Sequence, residues 1–234
     1  MPPPFRLLAI TPPAGPVPAD SLEPWRGVAG ELAVLLREPG RPAAELLAED
    51  GRLAPLRRRC RAAGVPMLLS VDLEDLATLP TLPADLTGVQ LRGDPDHDAR
   101  VAARGHLGRL RPTHATWLGR SCHGAPQPGH EHVDYTLLAP VFAPTTAQPG
   151  RPLGTKTPAG LAVLATWAAA PGACIYALGG VGRATAGACL AAGARGLAGI
   201  GVFFGEPGRV AQDVAALREI LAAHDRHVEP LSPR

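Results

Sequence analysis

Lysine is nearly missing from this chain. Of the 23 lysine and arginine residues in its 234, only Lys156 is a lysine. The four cysteines, Cys60, Cys122, Cys174 and Cys189, are scattered and form no C-x-x-C pair. That spacing argues against a zinc site and against a redox dithiol. Charge of one sign is not in excess either. A net charge of +2 gives no electrostatic case for nucleic acid or a membrane surface as partner. No stretch reaches the roughly 18 apolar residues of a membrane span. The opening "MPPPFRLLAITPP" has too short an apolar run and too many prolines for a signal peptide, so a cytoplasmic protein is expected. The surplus of Arg, Ala, Gly and Pro reads as a bias towards GC-rich codons and carries no function.

What is present is enough apolar material for a full core, at 46% hydrophobic and 19% charged residues. Short apolar runs recur at Arg6–Thr11, Ala33–Glu38, Pro66–Val71, Gly88–Leu91, Thr116–Gly119, Asp134–Leu138, Cys174–Gly179 and Leu197–Val202. Several are continuous rather than alternating, as in strands covered on both faces. Helical patterns separate most of them. "PAAELLAEDGRLAPLRRRCRAAG" is long and amphipathic, with Leu46, Leu47, Leu53 and Leu56 on its apolar side and an arginine cluster at Arg57–Arg59 and Arg61. "DLEDLATL" is short, "DPDHDARVAARG" suggests a short helix, and "GAPQPGHEHV" is barely helical. "PAGLAVLATWAAA" starts after Thr157-Pro158, "RATAGACLAAGA" follows Gly182, and "GRVAQDVAALREILAAH" closes the domain. Eight strand–helix units predict an α/β fold, a single (β/α)8 TIM barrel over residues 1–225 with a frayed tail at 226–234. A doubly wound open sheet is the alternative.

In such a barrel the active groups come from the C-terminal ends of the strands. Arg37 and Glu38 follow the second strand, Ser70, Val71 and Asp72 the third, and Arg92 and Asp94 the fourth. Ser121, Cys122 and His123 follow the fifth. Gly179 and Gly180 follow the seventh, with Gly199, Gly201, Val202 and Phe203 around the eighth. Glycine lets the backbone approach an oxyanion and aim N–H groups at it. One Gly-Gly pair reads equally as a tight turn. Glycine-rich ends on both closing strands point to a phosphate cradle of Gly179, Gly180, Gly201 and Val202.

His123 is the acid/base candidate, since an imidazole exchanges protons near neutrality. Cys122 beside it reads as a small buried filler rather than a nucleophile. His130 and His132, two apart, lack a third ligand and read as a solvated loop. The stretch Asp134–Gly154, the sixth strand and the Pro-rich loop it runs into, holds two adjacent threonines, Thr145 and Thr146, and no lysine.

These motifs, in this order, resemble the thiamine-phosphate synthase/TenI family of (β/α)8 barrels. "LGRSCH" is similar to that family's G-x-S-x-H, and "DYTLLAPVF" to its D-Y-v-x-x-G-P-v-F. "YALGGVGRATAGACLAAGARGLAGIGVFF" is similar to its closing segment. The resemblance is specific from Gly119 to Phe203 and looser before it. In the synthases a T-x-T-K loop grips pyrophosphate; here Pro144, Thr145, Thr146 and Ala147 stand there. Their R-x-K after strand two becomes Arg37, Glu38 and Pro39. Their Asn-Asp pair becomes Ser70 and Val71, with Asp72 one place off. Their H-L-G-Q becomes Gln90, Leu91, Arg92 and Gly93, with Asp94 as a second magnesium carboxylate only if it survives.

Expelling pyrophosphate requires stabilising several negative charges at once, and losing one such group costs about 10²–10³ in rate. Lys156, nine residues past Ala147, reaches the site only if the loop folds over; Arg92 is another substitute. The retained set resembles the TenI branch. It implies a thiazole tautomerase acting on a phosphorylated carboxy-thiazole with no cofactor, His123 as catalytic residue, and Arg37, Ser121, Thr145 and Thr146 against the substrate. A synthase with an altered pyrophosphate site, using Mg²⁺, and a non-catalytic binder of phosphorylated thiamine intermediates are the alternatives. Homo-oligomerisation is left open.

Overall fold

The computed structural model describes residues 2–13, 17, 22–28, 30–111, 116–126, 132–146, 152 and 155–228. Eight parallel strands close into a barrel in sequence order: β1 (Leu7–Ile10), β2 (Leu32–Leu36), β3 (Met67–Val71), β4 (Leu86–Leu91), β5 (Trp117–Cys122), β6 (Tyr135–Leu138), β7 (Ile175–Ala177) and β8 (Gly196–Gly199). Leu7, Leu8 and Ala9 of β1 pair with Leu197, Ala198 and Gly199 of β8. That pairing closes the sheet and removes the open-sheet alternative.

The strands are apolar on both faces because each face meets its own core. Inside the barrel, Leu8, Ile10, Ala33, Leu35, Leu68, Leu137 and Ala198 fill the centre with Phe5, Tyr135 and Tyr176. The three rings stand 5.3 to 5.9 Å apart, centre to centre, near the strands' N-terminal ends. The Tyr176 hydroxyl donates to the Phe5 carbonyl. Glycine is required beside these rings. A Cβ on Gly119 would stand 2.2 Å from Tyr135, and one on Gly196 would stand 2.4 Å from Tyr176. Outside, alternate strand residues such as Leu7, Val34, Leu69, Val89 and Ile175 pack in the larger core that also takes in the helices.

The connecting helices are α1 (Ala43–Leu47), α2 (Ala54–Ala63), α3 (Leu73–Thr78), α4 (His97–Leu110), α5 (Gly160–Ala168), α6 (Ala186–Ala191) and α7 (Pro207–Val228), with a 3-10 turn at Glu23–Val28. The long pattern after β2 is two helices. The chain turns at Gly51, whose N–H donates to the Ala48 carbonyl, and a Cβ there would press on two carbonyl oxygens at 3.1 Å. Leu46, Leu53 and Leu56 are buried as expected. Arg57 of the arginine cluster is buried too, paired with Asp85 at 3.3 Å.

Helix α4 runs for 14 residues, longer than its sequence suggests. Asp96 caps it, accepting from the Ala99 N–H at 2.8 Å. Its inward positions Arg100, Ala103 and Leu107 include an arginine where an apolar residue is expected, which hides the period. Helix α7 continues to Val228, past the expected domain end at 225; residues 229–234 lie outside the described set. Between β5 and β6 the described residues form no helix, and 127–131 lie outside that set.

Candidate functional site

Strands β7 and β8 end in two glycine turns on the C-terminal rim. Gly179 and Gly180 have φ of +93° and +62°. This left-handed region suits glycine, and a side chain there would strike Pro140 or Phe142 at 2.5–2.7 Å. The Gly182 N–H donates to Thr185 Oγ1 at 3.0 Å, and that hydroxyl donates to the Gly180 carbonyl at 2.9 Å. The turn is thus held by its own bonds. Across from it, Gly201 lies beside Thr146, whose Oγ1 would be 3.6 Å from a Cβ on that glycine. The two turns and the loop after β6 enclose a cavity of about 590 Å³, within the ordinary size range of a small-molecule site. Thr145, Thr146, Gly179, Gly180, Gly201 and Val202 all line it.

Two cations also line this cavity. Arg209, in the first turn of α7, donates through Nη2 to the Gly201 carbonyl at 3.2 Å. Lys156 comes from the segment before α5. The helix start beneath Arg209 already holds an anion. The Glu206 carboxylate accepts from the Arg209 and Gly208 N–H groups at 2.8 and 3.1 Å, and these bonds hold its carboxyl below the usual range. An external oxyanion would therefore meet the glycine turns and Arg209 rather than the α7 amides.

His123 does not line this cavity; Lys156, which does, links the two. Its Nδ1 is 3.0 Å from Asp94 Oδ2, its backbone N–H donates to Asp94 Oδ1 at 2.8 Å, and its Nε2 is 3.0 Å from Lys156 Nζ. A carboxylate only accepts and an ammonium only donates, so the tautomer follows: Nδ1 carries the hydrogen and Nε2 the lone pair. Asp94 sits at φ +46°, a conformation that aspartate tolerates better than most residues.

Behind this pair lies Arg120, fully buried, with its guanidinium 5.1 Å from the Trp167 ring centre and Nε donating to Thr136 at 3.2 Å. Burial lowers its pKa, while the thiol of Cys122 and the Asp94 carboxylate act in the opposite sense. Burial pushes the Cys122 thiol up to about 12, so the filler reading stands over the nucleophile.

The remaining sequence candidates fall elsewhere. Ser121 Oγ accepts from buried Gln90 at 3.2 Å and does not line the cavity. Arg37 also stands off it, its backbone N–H and carbonyl both bonded to the Thr11 hydroxyl. His132 rests its ring against His97 at 5.3 Å, and residue 130 lies outside the described set. Asp72 caps α3 and pairs with Arg92 at 2.8 Å, and Arg92 also meets Asp75 at 2.8 Å. Asp94 is engaged with His123. The two carboxylates that a magnesium ion would need are thus spent on other partners. Among the described residues no group of three His, Cys, Asp or Glu could hold a metal. The donor set does not fit the ion.

Arg209 escapes the sequence reading, although a signal exists. A cation in the first turn of a helix opposes the helix dipole and so asks for an anion nearby. Lys156 is visible in the sequence, but its reach to His123 is not.

The fold is the (β/α)8 barrel. More narrowly, the chain belongs to the thiamine monophosphate synthase/TenI family: the sequence model of the family described as thiamine monophosphate synthase matches residues 28–203. A thiamine phosphate pyrophosphorylase from Pyrococcus furiosus superposes with a TM-score of 0.65 at 20% identity, covering 94% of this chain and 96% of that one. The thiamine phosphate pyrophosphorylase from Bacteroides thetaiotaomicron gives 0.53 at 16%, covering 93% and 98%. N-(5'-phosphoribosyl)anthranilate isomerase from Pyrococcus furiosus gives 0.53 at 11%, covering 92% and 99%. At these identities the structural likeness is one of fold. A search of curated proteins returned no match. No described helix is long and apolar enough to cross a membrane.

Proposed function

We propose that this chain is a thiazole tautomerase of the TenI kind, an isomerase that moves a proton on a phosphorylated carboxy-thiazole. The observation that carries the reading is the Asp94–His123 pair beside a cavity rimmed by glycine turns. The phosphate rests against the turns at Gly179–Gly180 and Gly201–Val202 and meets Arg209. Thr145 and Thr146 form the polar wall over it. The ring then extends towards His123.

Neutral His123 takes a proton from a ring carbon through Nε2. The resulting imidazolium is stabilised by Asp94 at Nδ1. The same nitrogen returns the proton to the exocyclic carbon, and the ring becomes aromatic. One proton leaves carbon and one returns, so no co-reactant is consumed.

Replacing His123 by Asn removes the only proposed acid/base. Turnover of the thiazole should fall by about 10²–10⁴, with phosphate binding retained. Undiminished turnover in that variant overturns the assignment.

Synthase chemistry is the second reading, favoured by Lys156 and Arg209 at the cavity, which supply cations where the family's loop lysine is missing. Incubating the purified protein with the pyrimidine pyrophosphate, thiazole phosphate and Mg²⁺ tests it. Absence of thiamine phosphate above background removes it.

A further inference from the structure

We propose that Lys156 is a specificity-determining residue: it caps the base and is drawn off it by a second anionic group, a carboxylate, on the phosphorylated substrate. The inference rests on the proton-transfer reading above and adds to it the condition under which His123 becomes available.

The argument starts from one atom. His123 Nε2 holds the lone pair on which proton transfer depends, and Lys156 Nζ stands 3.0 Å from it. An ammonium has three donors and no acceptor, so the contact is N–H to lone pair. While it lasts, that nitrogen is unavailable to a carbon acid.

One Asp94 carboxylate oxygen holds the opposite edge of the ring at Nδ1, and the other accepts from the His123 backbone N–H. The ring is therefore not free to turn Nε2 elsewhere. The partner that moves is the lysine, a compact charge on a flexible four-carbon stem. Its side chain is only half-buried.

Where it goes is set by the cavity. Lys156 lines the same space as Gly180, Gly201 and Arg209. A phosphate lodged in the glycine turns meets main-chain amides and the Arg209 guanidinium. A carboxylate carried on the ring side of the same molecule lies nearer to Lys156 and forms a charge-assisted hydrogen bond with it. The substrate class is then a small molecule with a phosphate at one end and a carboxylate at the other. A phosphorylated analogue without the carboxylate binds but leaves the ammonium on His123, so it loses kcat more than KM.

Two measurements on the full chain test this without relying on turnover. The first is carbethoxylation of His123 by diethyl pyrocarbonate, followed by peptide mass spectrometry. Lys156→Met should raise the rate at His123 about fivefold or more over the unaltered protein, with His97 and His106 unchanged; an unchanged rate at His123 overturns the cap. The second is binding of two probes, inorganic phosphate and 3-phosphoglycerate. In Lys156→Met, 3-phosphoglycerate should weaken about tenfold or more, as expected for loss of one charge-assisted bond. Inorganic phosphate should change by less than about twofold. Lys156→Arg should restore the 3-phosphoglycerate affinity. Equal weakening of both probes, or of neither, overturns the proposal. If His123→Asn keeps full turnover while the probe selectivity stands, the tautomerase reading fails and the lysine's role in anion recognition survives.

Discussion

Asp94 holds His123 at two points, one carboxylate oxygen 2.8 Å from the histidine's backbone nitrogen and the other 3.0 Å from Nδ1. The chain direction and the ring edge are thereby fixed together. Asp94→Asn keeps the shape but presents an amide N–H₂ to Nδ1. The ring then favours the tautomer with hydrogen on Nε2, which cannot accept a proton from carbon. We expect turnover to fall by roughly 10²-fold or more, with the melting temperature within about 3 °C of the unaltered protein. Steady-state kinetics on the phosphorylated thiazole, with calorimetry alongside, decides this. Loss of fold without a specific loss of kcat would show Asp94 to be structural only.

Gly180→Ala should damage the cradle. Its φ of +62° costs a residue with a Cβ about 1–2 kcal/mol. The new methyl would also lie 2.7 Å from the Ala143 carbonyl and from Phe142. The melting temperature should drop by about 3 °C or more, and inorganic phosphate should no longer protect against unfolding. Retained protection would place the anion elsewhere in the cavity.

Asp85 supplies a pH signature away from the cavity. Burial disfavours its charge, yet Arg61 by a hydrogen bond and Arg57 by charge outweigh that, so its carboxyl stays below the ordinary 3.8. A carboxyl depressed on folding stabilises the protein above its unfolded value and loses that contribution as pH falls through the folded one. Asp85→Asn leaves the Arg57 side chain, itself 4% exposed, without that counter-charge. The cost should be about 3 kcal/mol at pH 7. It should shrink below about pH 4, as read by urea titrations at several pH values. A cost independent of pH would assign it to packing.

The four cysteines predict the opposite slope. Burial pushes Cys60 and Cys122 to about 12 and Cys174 and Cys189 to about 11. A thiol raised on folding favours the native state below the unfolded value and withdraws that support as pH climbs through the folded one. Stability should therefore decline above about pH 9. Iodoacetamide at pH 8 should label none of the four until the chain unfolds. Labelling of Cys122 in the native protein would contradict its burial.

The barrel was legible because a buried parallel strand leaves a continuous apolar run, and eight such runs stand in order. The Gly179–Gly180 turn was legible because only glycine accepts its backbone angles and close approach. Other features escaped for physical reasons. Arg100 occupies an inward position of α4 and so breaks the apolar period. Arg57 resembles its exposed neighbours, and only the fold sets it against Asp85. Gly51 is one residue in a long helical pattern, yet it divides the helix. In the site, Asp94 looks like a surviving metal carboxylate until its distance to His123 is known. Arg37 follows β2 in sequence but does not reach the cavity. Lys156 is separated from His123 by 33 positions, and no local pattern encodes their meeting.

That lysine has one more consequence. With no other lysine in the chain, a reagent selective for primary side-chain amines finds a single target, and that target borders the cleft. A fluorescent aldehyde or activated ester attached there would report on occupancy from within the protein, once label on the α-amino group is subtracted.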